Sequence, residues 1–123
     1  MEQLRLCESD YRFMCIVWEQ EPLTSHALVE LCGQRLGWKK STTYTVIKRL
    51  TERGVVHTEN AVVTALVGRQ DVQNAESRAF VDKNFHGSLP AFLSAFIGNK
   101  QLTQQEADEL RRMIDKFEEE HHG

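Results

Sequence analysis

The sequence predicts a mostly α-helical protein with one small β-hairpin, arranged as an N-terminal winged helix-turn-helix followed by a C-terminal helical segment. Apolar residues recur at helical spacing through the first part of the chain. After Gly54 the pattern changes to short runs of β-branched residues, and helical spacing returns from about Asp71. We therefore predict two domains, residues 1–70 and residues 71–123.

Composition and charge indicate a soluble globular chain with a basic and an acidic part. Of the 123 residues, 41% are hydrophobic and 27% are charged, which is typical of a folded domain. The net charge is −3, but residues 1–70 hold nine Lys and Arg against eight Asp and Glu, whereas residues 71–123 hold six against ten. Since binding to a polyanion depends on the local field, the basic part can serve as a binding surface.

The chain shows no membrane or secretion signal and no disulfide framework. No apolar run approaches the roughly 18 residues of a membrane-spanning helix, and no basic and apolar leader begins the sequence. Cys7, Cys15 and Cys32 are not closely spaced, which favours a reducing compartment. We therefore expect a cytoplasmic protein without direct membrane insertion.

The first two predicted helices precede the third in the order of a helix-turn-helix. Ser9 or Asp10 is expected to cap the first helix, which is apolar on most sides and must be surrounded by other elements. Thr24, after the break at residues 21–22, is expected to cap the second. A turn over residues 33–37 then leads into a third helix, which is the order of a helix-turn-helix.

The third helix is predicted between Ser41, as its N-cap, and Gly54, as its stop. The face expected to be buried carries Thr43, Val46, Ile47 and Leu50. The opposite face carries Thr42, Tyr44, Thr45, Lys48, Arg49 and Glu52, and the helix is preceded by Lys39 and Lys40. A helix in a DNA major groove needs cations for phosphates and hydroxyl or aromatic groups for base edges. The alternative is a solvated amphipathic helix without a ligand.

A β-hairpin is predicted directly after the third helix. The runs at residues 55–58 and 61–67 are rich in β-branched residues and flank a tight turn at Glu59-Asn60. A hairpin in this position is a wing, and the order favours DNA binding over a featureless α+β domain. The turn carries an acid and no cation, so we expect the third helix and its preceding lysines to supply the affinity.

Three further helices are predicted in the C-terminal part. The first begins at Asp71 and ends near Phe85, and Pro90 suits the first turn of the second. Thr103 and Glu106 form a capping box for the third. None of them can bury its apolar face alone in a segment of this size. We therefore expect a homodimer, which also suits a palindromic operator with two half-sites.

No other group of residues in the sequence indicates chemistry. The cysteines show no ligand spacing, and Cys15 and Cys32 fit apolar faces as small core residues. His26, His57 and His86 are scattered, and no glycine-rich phosphate loop, paired-carboxylate motif or zinc spacing is present. We therefore predict no enzyme activity, no cofactor and no metal site.

Three segments resemble the penicillinase repressor family. They are Phe13 to Trp18 in the first helix, Ser41 to Leu50 in the third, and Phe80 to Phe96 in the C-terminal part. The similarity implies a homodimeric winged-helix transcriptional repressor that occupies an operator and blocks transcription. It also implies that residues 1–70 are the DNA-binding domain and residues 71–123 the dimerisation domain.

The resemblance assigns two groups of DNA contacts by position. The residues that it implies would face the bases are Thr42, Thr43 and Tyr44. The residues that it implies would lie nearer the phosphates are Lys39, Lys40, Ser41, Lys48 and Arg49. Members that respond to β-lactams tend to have an arginine in place of Tyr44, so we expect a different operator sequence, with stacking or a thymine contact.

The resemblance also implies a route of induction. Repressors of this family are released by proteolysis, commonly between Asn and Phe, and the implied partner is a membrane-bound sensor protease. The matching bond is Ala95–Phe96, which lacks the asparagine, and Phe96 is equally expected as an aromatic residue of the dimer core. A copper-responsive branch of similar repressors has a cysteine-rich C-terminal metal site. No cysteine follows Cys32 here, so we do not expect a copper-thiolate sensor. Two alternatives stay open: a winged-helix protein-interaction module, and a regulator controlled by a small molecule without proteolysis.

Overall fold

The computed structural model describes residues 5–98 and 102–121. Within them the chain forms six α-helices and a small antiparallel sheet, which confirms the predicted fold class. In chain order the elements are α1 Glu8–Gln20, β1 Leu23–Thr24, α2 Ser25–Leu36, α3 Lys40–Glu52, β2 Val56–Glu59, β3 Val62–Ala65, α4 Arg69–Phe85, α5 Leu89–Gly98 and α6 Gln104–His121. The chain divides into two compact units, Met1–Phe80 and Val81–Gly123, with the boundary inside α4. The division of function at residue 70 stays a prediction.

The N-terminal unit is built on a core to which its helices and its sheet contribute. Phe13 and Val17 of α1, Leu28 of α2, Leu50 of α3 and Val63 of β3 are all fully buried. The sheet has the strand order β1-β3-β2, and β3 is antiparallel to both neighbours. Burying a side chain of this size stabilises the fold by about 1.5–3 kcal/mol. The core therefore fixes which face of α3 points outward.

β1 is a strand that the sequence analysis did not predict. It pairs with β3, with Leu23 opposite Val63 and Thr24 opposite Val62. A strand this short leaves no alternating pattern in the sequence. Thr24 also caps α2, because its hydroxyl accepts a hydrogen bond from the Ala27 amide at 3.0 Å. This cap confirms the prediction.

The predicted N-cap of α3 is wrong by two residues. α3 begins at Lys40, so Ser41 lies inside the first turn and not before it. The reason is Gly37, which ends α2 with a left-handed backbone (φ 71°). Lys39 then takes the extended conformation of an N-cap, without a side-chain hydrogen bond.

α1 also begins earlier than predicted. Its N-cap is Cys7, and both expected caps, Ser9 and Asp10, lie within its first turn. Asp10 is only 2% exposed, and a buried carboxylate needs a partner of opposite charge. That partner comes from α3, so the start of α1 is tied to the third helix.

The hairpin forms where it is predicted, but its turn lies one residue later. Glu59 pairs with Val62 and is therefore the last residue of β2. The turn residues are Asn60 and Ala61, and both have positive φ (52° and 61°). Tight hairpin turns need this conformation because it matches the twist of the strands.

α4 is anchored to the N-terminal unit at its start. Its predicted cap, Asp71, lies in the first turn, where the carboxylate accepts a hydrogen bond from the Gly68 amide at 3.3 Å. Val72 is fully buried, and the Glu76 carboxylate accepts a hydrogen bond from the Leu6 amide at 3.0 Å. These contacts give α4 a fixed origin on the winged helix.

The C-terminal unit contains the end of α4, α5 and α6. The capping box of α6 forms as predicted: the Glu106 amide donates to the Thr103 hydroxyl at 3.0 Å, and the Thr103 amide donates to the Glu106 carboxylate at 3.1 Å. None of the described residues of α5 and α6 is buried within the single chain. In α6 the large apolar side chains of Met113, Ile114 and Phe117 are between 59% and 65% exposed. No helix in the described ranges is long and apolar enough to cross a bilayer.

Candidate nucleic-acid interface

The outer face of α3 is fixed because its inner face belongs to the core. Val46, Ile47 and Leu50 are at most 6% exposed, as their spacing predicts. The polar residues predicted on the opposite face are all exposed: Thr42, Tyr44, Thr45, Lys48, Arg49 and Glu52. Exposed as well are Lys39, Lys40 and Ser41. One rigid helix therefore presents cations, hydroxyl groups and an aromatic ring.

Thr43 does not belong to this outer face. It was assigned to the bases by resemblance, but the structure buries it completely. Thr43 lies three residues before Val46 and four before Ile47, so it shares their inward direction. The assignment of Thr43 as a base contact is wrong, while Thr42 and Tyr44 stay predictions.

Lys40, Tyr44 and Lys48 form one row on the outer face, because they follow one another at intervals of four residues. The Lys40 ammonium lies 6.0 Å from the centre of the Tyr44 ring, which is within the range of a cation–π interaction. The Tyr44 side chain is still 41% exposed. This row combines two cations with a ring that can stack or touch a thymine methyl group.

Thr42, Thr45 and Arg49 form a second row, which borders a shallow depression of about 360 Å³ near the start of α1. The depression is lined by Ser9, Trp38, Ser41, Thr42, Thr45, Val46 and Arg49. The Thr45 hydroxyl donates to the Ser41 carbonyl at 2.9 Å. The described lining residues supply three further hydroxyl groups and the Arg49 guanidinium but no carboxylate, so the groups exposed there are hydrogen-bond donors that an anion could use.

A buried carboxylate holds Arg49 in place. Nη2 of Arg49 donates to Oδ1 of Asp10, whose side chain is only 3% exposed. Nη1 of Arg53 lies 4.0 Å from Oδ2 of the same aspartate. A buried charge of this kind is tolerated only beside an opposite charge. The contact fixes the Arg49 guanidinium at the edge of the depression, where the side chain is 45% exposed.

Trp38 anchors the segment that precedes α3. Its ring stacks on the ring of Phe13, with centroids 6.1 Å apart and an angle of 6° between the planes. Its amide donates to the Cys32 carbonyl at 3.2 Å. This packing gives α3 a fixed start and leaves Lys39 and Lys40 exposed to solvent.

The wing carries a negative tip. The side chain of Glu59 is 72% exposed, and its carboxylate lies 3.3 Å from Nε2 of His57. Residues 56–65 contain no Lys or Arg. The hairpin therefore offers no permanent positive charge to a phosphate, and we retain the prediction that it contributes little affinity.

The cysteines differ in accessibility. Cys7 is exposed, Cys15 is partly buried and Cys32 is fully buried. Burial raises the pKa of the Cys32 thiol. Within residues 5–98 and 102–121, no three His, Cys, Asp or Glu side chains are grouped so that they could hold a metal ion.

The Ala95–Phe96 bond lies inside α5. Both residues are exposed, Phe96 by 53%, and the Phe96 ring lies 5.9 Å from the ring of Phe92. A protease binds its substrate in an extended conformation, so this part of α5 must open locally before it can be cut.

Sequence reasoning missed the contribution of α1 to this surface. Ser9 and Asp10 were expected only as helix caps. The available signal was an acidic residue at the start of a helix that is apolar on most sides, because such an acid needs a partner when other elements surround the helix. Arg49 and Arg53, in the basic third helix segment, were the natural candidates.

Comparison with known proteins places these features in a family. The family model described as Penicillinase repressor matches residues 6–116. The methicillin resistance regulatory protein MecI of Staphylococcus aureus (strain Mu50) is 24% identical over 115 residues, which cover 90% of this chain and 94% of that protein. The Penicillinase repressor of Bacillus licheniformis is 21% identical over 116 residues, covering 91% of each. Among solved structures, the DNA binding domain of the repressor BlaI covers 54% of this chain and 85% of its own length, at 18% identity and a TM-score of 0.48.

Proposed function

We propose that this chain, which belongs to the penicillinase repressor family and is a DNA-binding repressor, acts as a cytoplasmic homodimer on a palindromic operator. Each α3 enters the major groove of one half-site. The observation that carries the proposal is the outer face of α3, where cations, hydroxyl groups and Tyr44 project from a helix whose inner face is held in the core.

Within the proposed interface the residues of α3 divide into two roles. Thr42 and Tyr44 read bases, because a hydroxyl and an aromatic ring can meet base edges and methyl groups. The phosphates are met by Lys39, Lys40, Ser41, Lys48 and Arg49. Phosphate contacts set affinity and register, whereas base contacts set the preferred sequence.

The exposed apolar side chains of the C-terminal unit support the homodimer. Leu110, Met113, Ile114 and Phe117 recur at intervals of three and four, and the last three are more than half exposed. We call these four residues the α6 stripe. A monomer rarely leaves such a stripe in water. A second copy presents the same stripe, so a two-fold contact would bury both and would place two α3 helices on one DNA molecule.

The proposal includes induction by a membrane-bound sensor protease that cuts the Ala95–Phe96 bond. The cut would separate α6, with its stripe, from the winged helix. Exposure of Phe96 supports recognition by a protease, while the helical conformation of α5 requires prior opening. Incubation with membranes that carry the protease, followed by mass spectrometry, should reveal fragments that end at Ala95; an intact chain would remove induction from the proposal and leave DNA binding.

Selection of genomic DNA tests the central proposal. The full-length protein is mixed with genomic fragments at about 0.15 M salt, where electrostatic binding is already screened. We expect enrichment of a palindrome whose half-sites lie about one helical turn apart or a multiple of it. Recovery of DNA without any enriched palindrome would contradict the operator proposal and favour the protein-interaction module.

A further inference from the structure

We propose that Asp10 is a positioning residue for DNA binding, which holds the Arg49 guanidinium so that it forms, with the hydroxyls of Ser9 and Ser41, a seat for one backbone phosphate. The seat is the depression between the start of α1 and α3. The inference rests on the proposed function and deepens it, since it adds α1 to a DNA-binding surface otherwise confined to α3.

The arginine and not the aspartate faces the seat. The buried carboxylate contacts Arg49 through one oxygen, and its other oxygen lies 4.0 Å from Arg53. The Arg49 side chain is 45% exposed, whereas that of Asp10 is only 3% exposed. A phosphate that enters the depression would therefore meet the positive group of the pair before the negative one.

Arg49 has N–H groups, not used by its contact with Asp10, that can donate hydrogen bonds to a second anion. A guanidinium carries five N–H groups in a rigid fork, and its contact with Asp10 uses one side of that fork. The Arg49 side chain is 45% exposed and lines the depression, so it can serve a carboxylate and a phosphate at once. Holding the guanidinium in advance reduces the rotamer freedom that would otherwise be lost on binding.

The lining of the depression favours a phosphate over a base. Ser9 and Ser41 bring hydroxyl donors from two different helices to the same hollow as the Arg49 guanidinium. A helix in the major groove is flanked by the phosphates of the duplex, and phosphate oxygens accept hydrogen bonds from such groups. Of the Lys40–Tyr44–Lys48 row, Tyr44 then remains for the bases in the groove, while the two lysines meet other phosphates.

Asp10 could have the opposite role and withhold Arg49 from DNA. One variant distinguishes these two roles of Asp10. Asp10→Asn keeps the shape of the side chain and removes its charge. Glu8→Gln is the matched control, because it removes one negative charge from the same turn of α1 at a side chain that is 82% exposed and pairs with Arg12. Affinity for the selected operator and for random duplex is measured by fluorescence anisotropy over a series of KCl concentrations.

We expect Asp10→Asn to weaken operator binding by about tenfold, as for one charge-assisted hydrogen bond. The slope of log K against log salt should fall by about one, because one phosphate contact is lost. Glu8→Gln should bind as well as the unchanged protein or slightly better. Tighter binding of Asp10→Asn to both DNAs, or binding equal to that of Glu8→Gln, would overturn the inference.

A second variant keeps the test decisive if Asp10→Asn does not fold, which circular dichroism at the assay temperature would reveal. Ser9→Ala removes an exposed hydroxyl that lines the seat and lies 3.4 Å from Sγ of the exposed Cys7. It should cost roughly two- to tenfold in affinity with the fold intact, and unchanged affinity would exclude α1 from the interface. If the unchanged protein binds no operator, the proposed function itself fails; if it binds and the variants match their controls, only this inference fails.

Discussion

Two adjacent cations of α3, Lys48 and Arg49, have different surroundings. Lys48 is exposed in the row with Tyr44, whereas Arg49 contacts the buried carboxylate of Asp10. Truncation of Lys48 removes a charge from the surface. Truncation of Arg49 also removes the hydrogen-bonded partner of a buried carboxylate and leaves it only the more distant Arg53, which destabilises the fold. Loss of DNA binding by an Arg49 variant is therefore ambiguous, and Lys48 is the cleaner probe of phosphate contact.

Replacement of Lys48 by Ala should weaken binding to every duplex, because a phosphate contact does not depend on sequence. The slope of log K against log salt should fall by about one, as measured by anisotropy titrations between low and moderate KCl. Lys83→Ala serves as the control, since Lys83 is an exposed lysine of α4 outside the interface. A loss confined to the operator would contradict the assignment of Lys48 to the phosphates.

Replacement of Tyr44 by Ala should instead change which base pair is preferred. Each base-pair preference is worth about 1–3 kcal/mol, and the variant should lose that difference while its binding to random DNA stays the same. Competition between operators altered at single positions measures the effect. Tyr44→Phe keeps the ring and should retain the preference if stacking or a methyl contact supplies it. Identical losses on specific and random DNA would contradict base reading by Tyr44.

The thiols should react in the order of their exposure. Cys7 is exposed, whereas Cys32 is buried and its pKa is raised by that burial. A raised pKa means that less thiolate is present at a given pH, so Cys32 should react slowly near pH 8 and faster only at higher pH or after unfolding. Timed labelling with a disulfide reagent, with Cys7→Ser as the control, checks this order. Equal rates for both thiols in the native protein would contradict it.

At the level of elements, local patterns were predictable and distant contacts were not. The buried face of α3 and the Thr103–Glu106 capping box follow from spacing within a few residues, and the sequence predicted both. β1 and the Asp10–Arg49 contact join residues far apart in the chain, and local patterns contain no information about such pairs. For Thr43, resemblance pointed to DNA while helical spacing pointed to the core; spacing prevailed because it is a steric constraint.

The cap of α2 offers a test of an element as a unit. Thr24→Ala removes the hydroxyl that accepts a hydrogen bond from the Ala27 amide, and it should lower the free energy of unfolding by about 1 kcal/mol. Urea denaturation followed by far-UV circular dichroism measures the change. Thr24→Ser keeps the hydroxyl and should lose much less. Equal destabilisation of the two variants would mean that the side-chain methyl, and not the cap, matters at this position.

At the level of the whole molecule, charge and apolar surface lie in different parts of the chain. The cations of α3 belong to the N-terminal unit, and the α6 stripe belongs to the C-terminal unit. DNA contact and proposed self-association can therefore be altered separately. A variant of the stripe should change operator binding through the oligomeric state, without altering the residues that are proposed to meet DNA.

Ile114→Asp should convert the proposed dimer into a monomer, because it places a charge where two apolar stripes would meet. Analytical ultracentrifugation at micromolar concentration measures the mass. Operator affinity should fall by about 10²–10⁴-fold, since two linked half-site contacts become independent. Gln105→Asp adds the same charge to α6 outside the stripe and should remain dimeric. A dimeric Ile114→Asp variant would place the interface elsewhere.

The acidic end of the hairpin limits what the wing can add to the proposed complex. Glu59 is 72% exposed at the end of β2, so a phosphate that approached this tip would meet a negative charge whatever the DNA sequence. Under the proposed function the wing therefore gives no advantage to an operator over bulk DNA. Discrimination between the two would have to come from α3 alone.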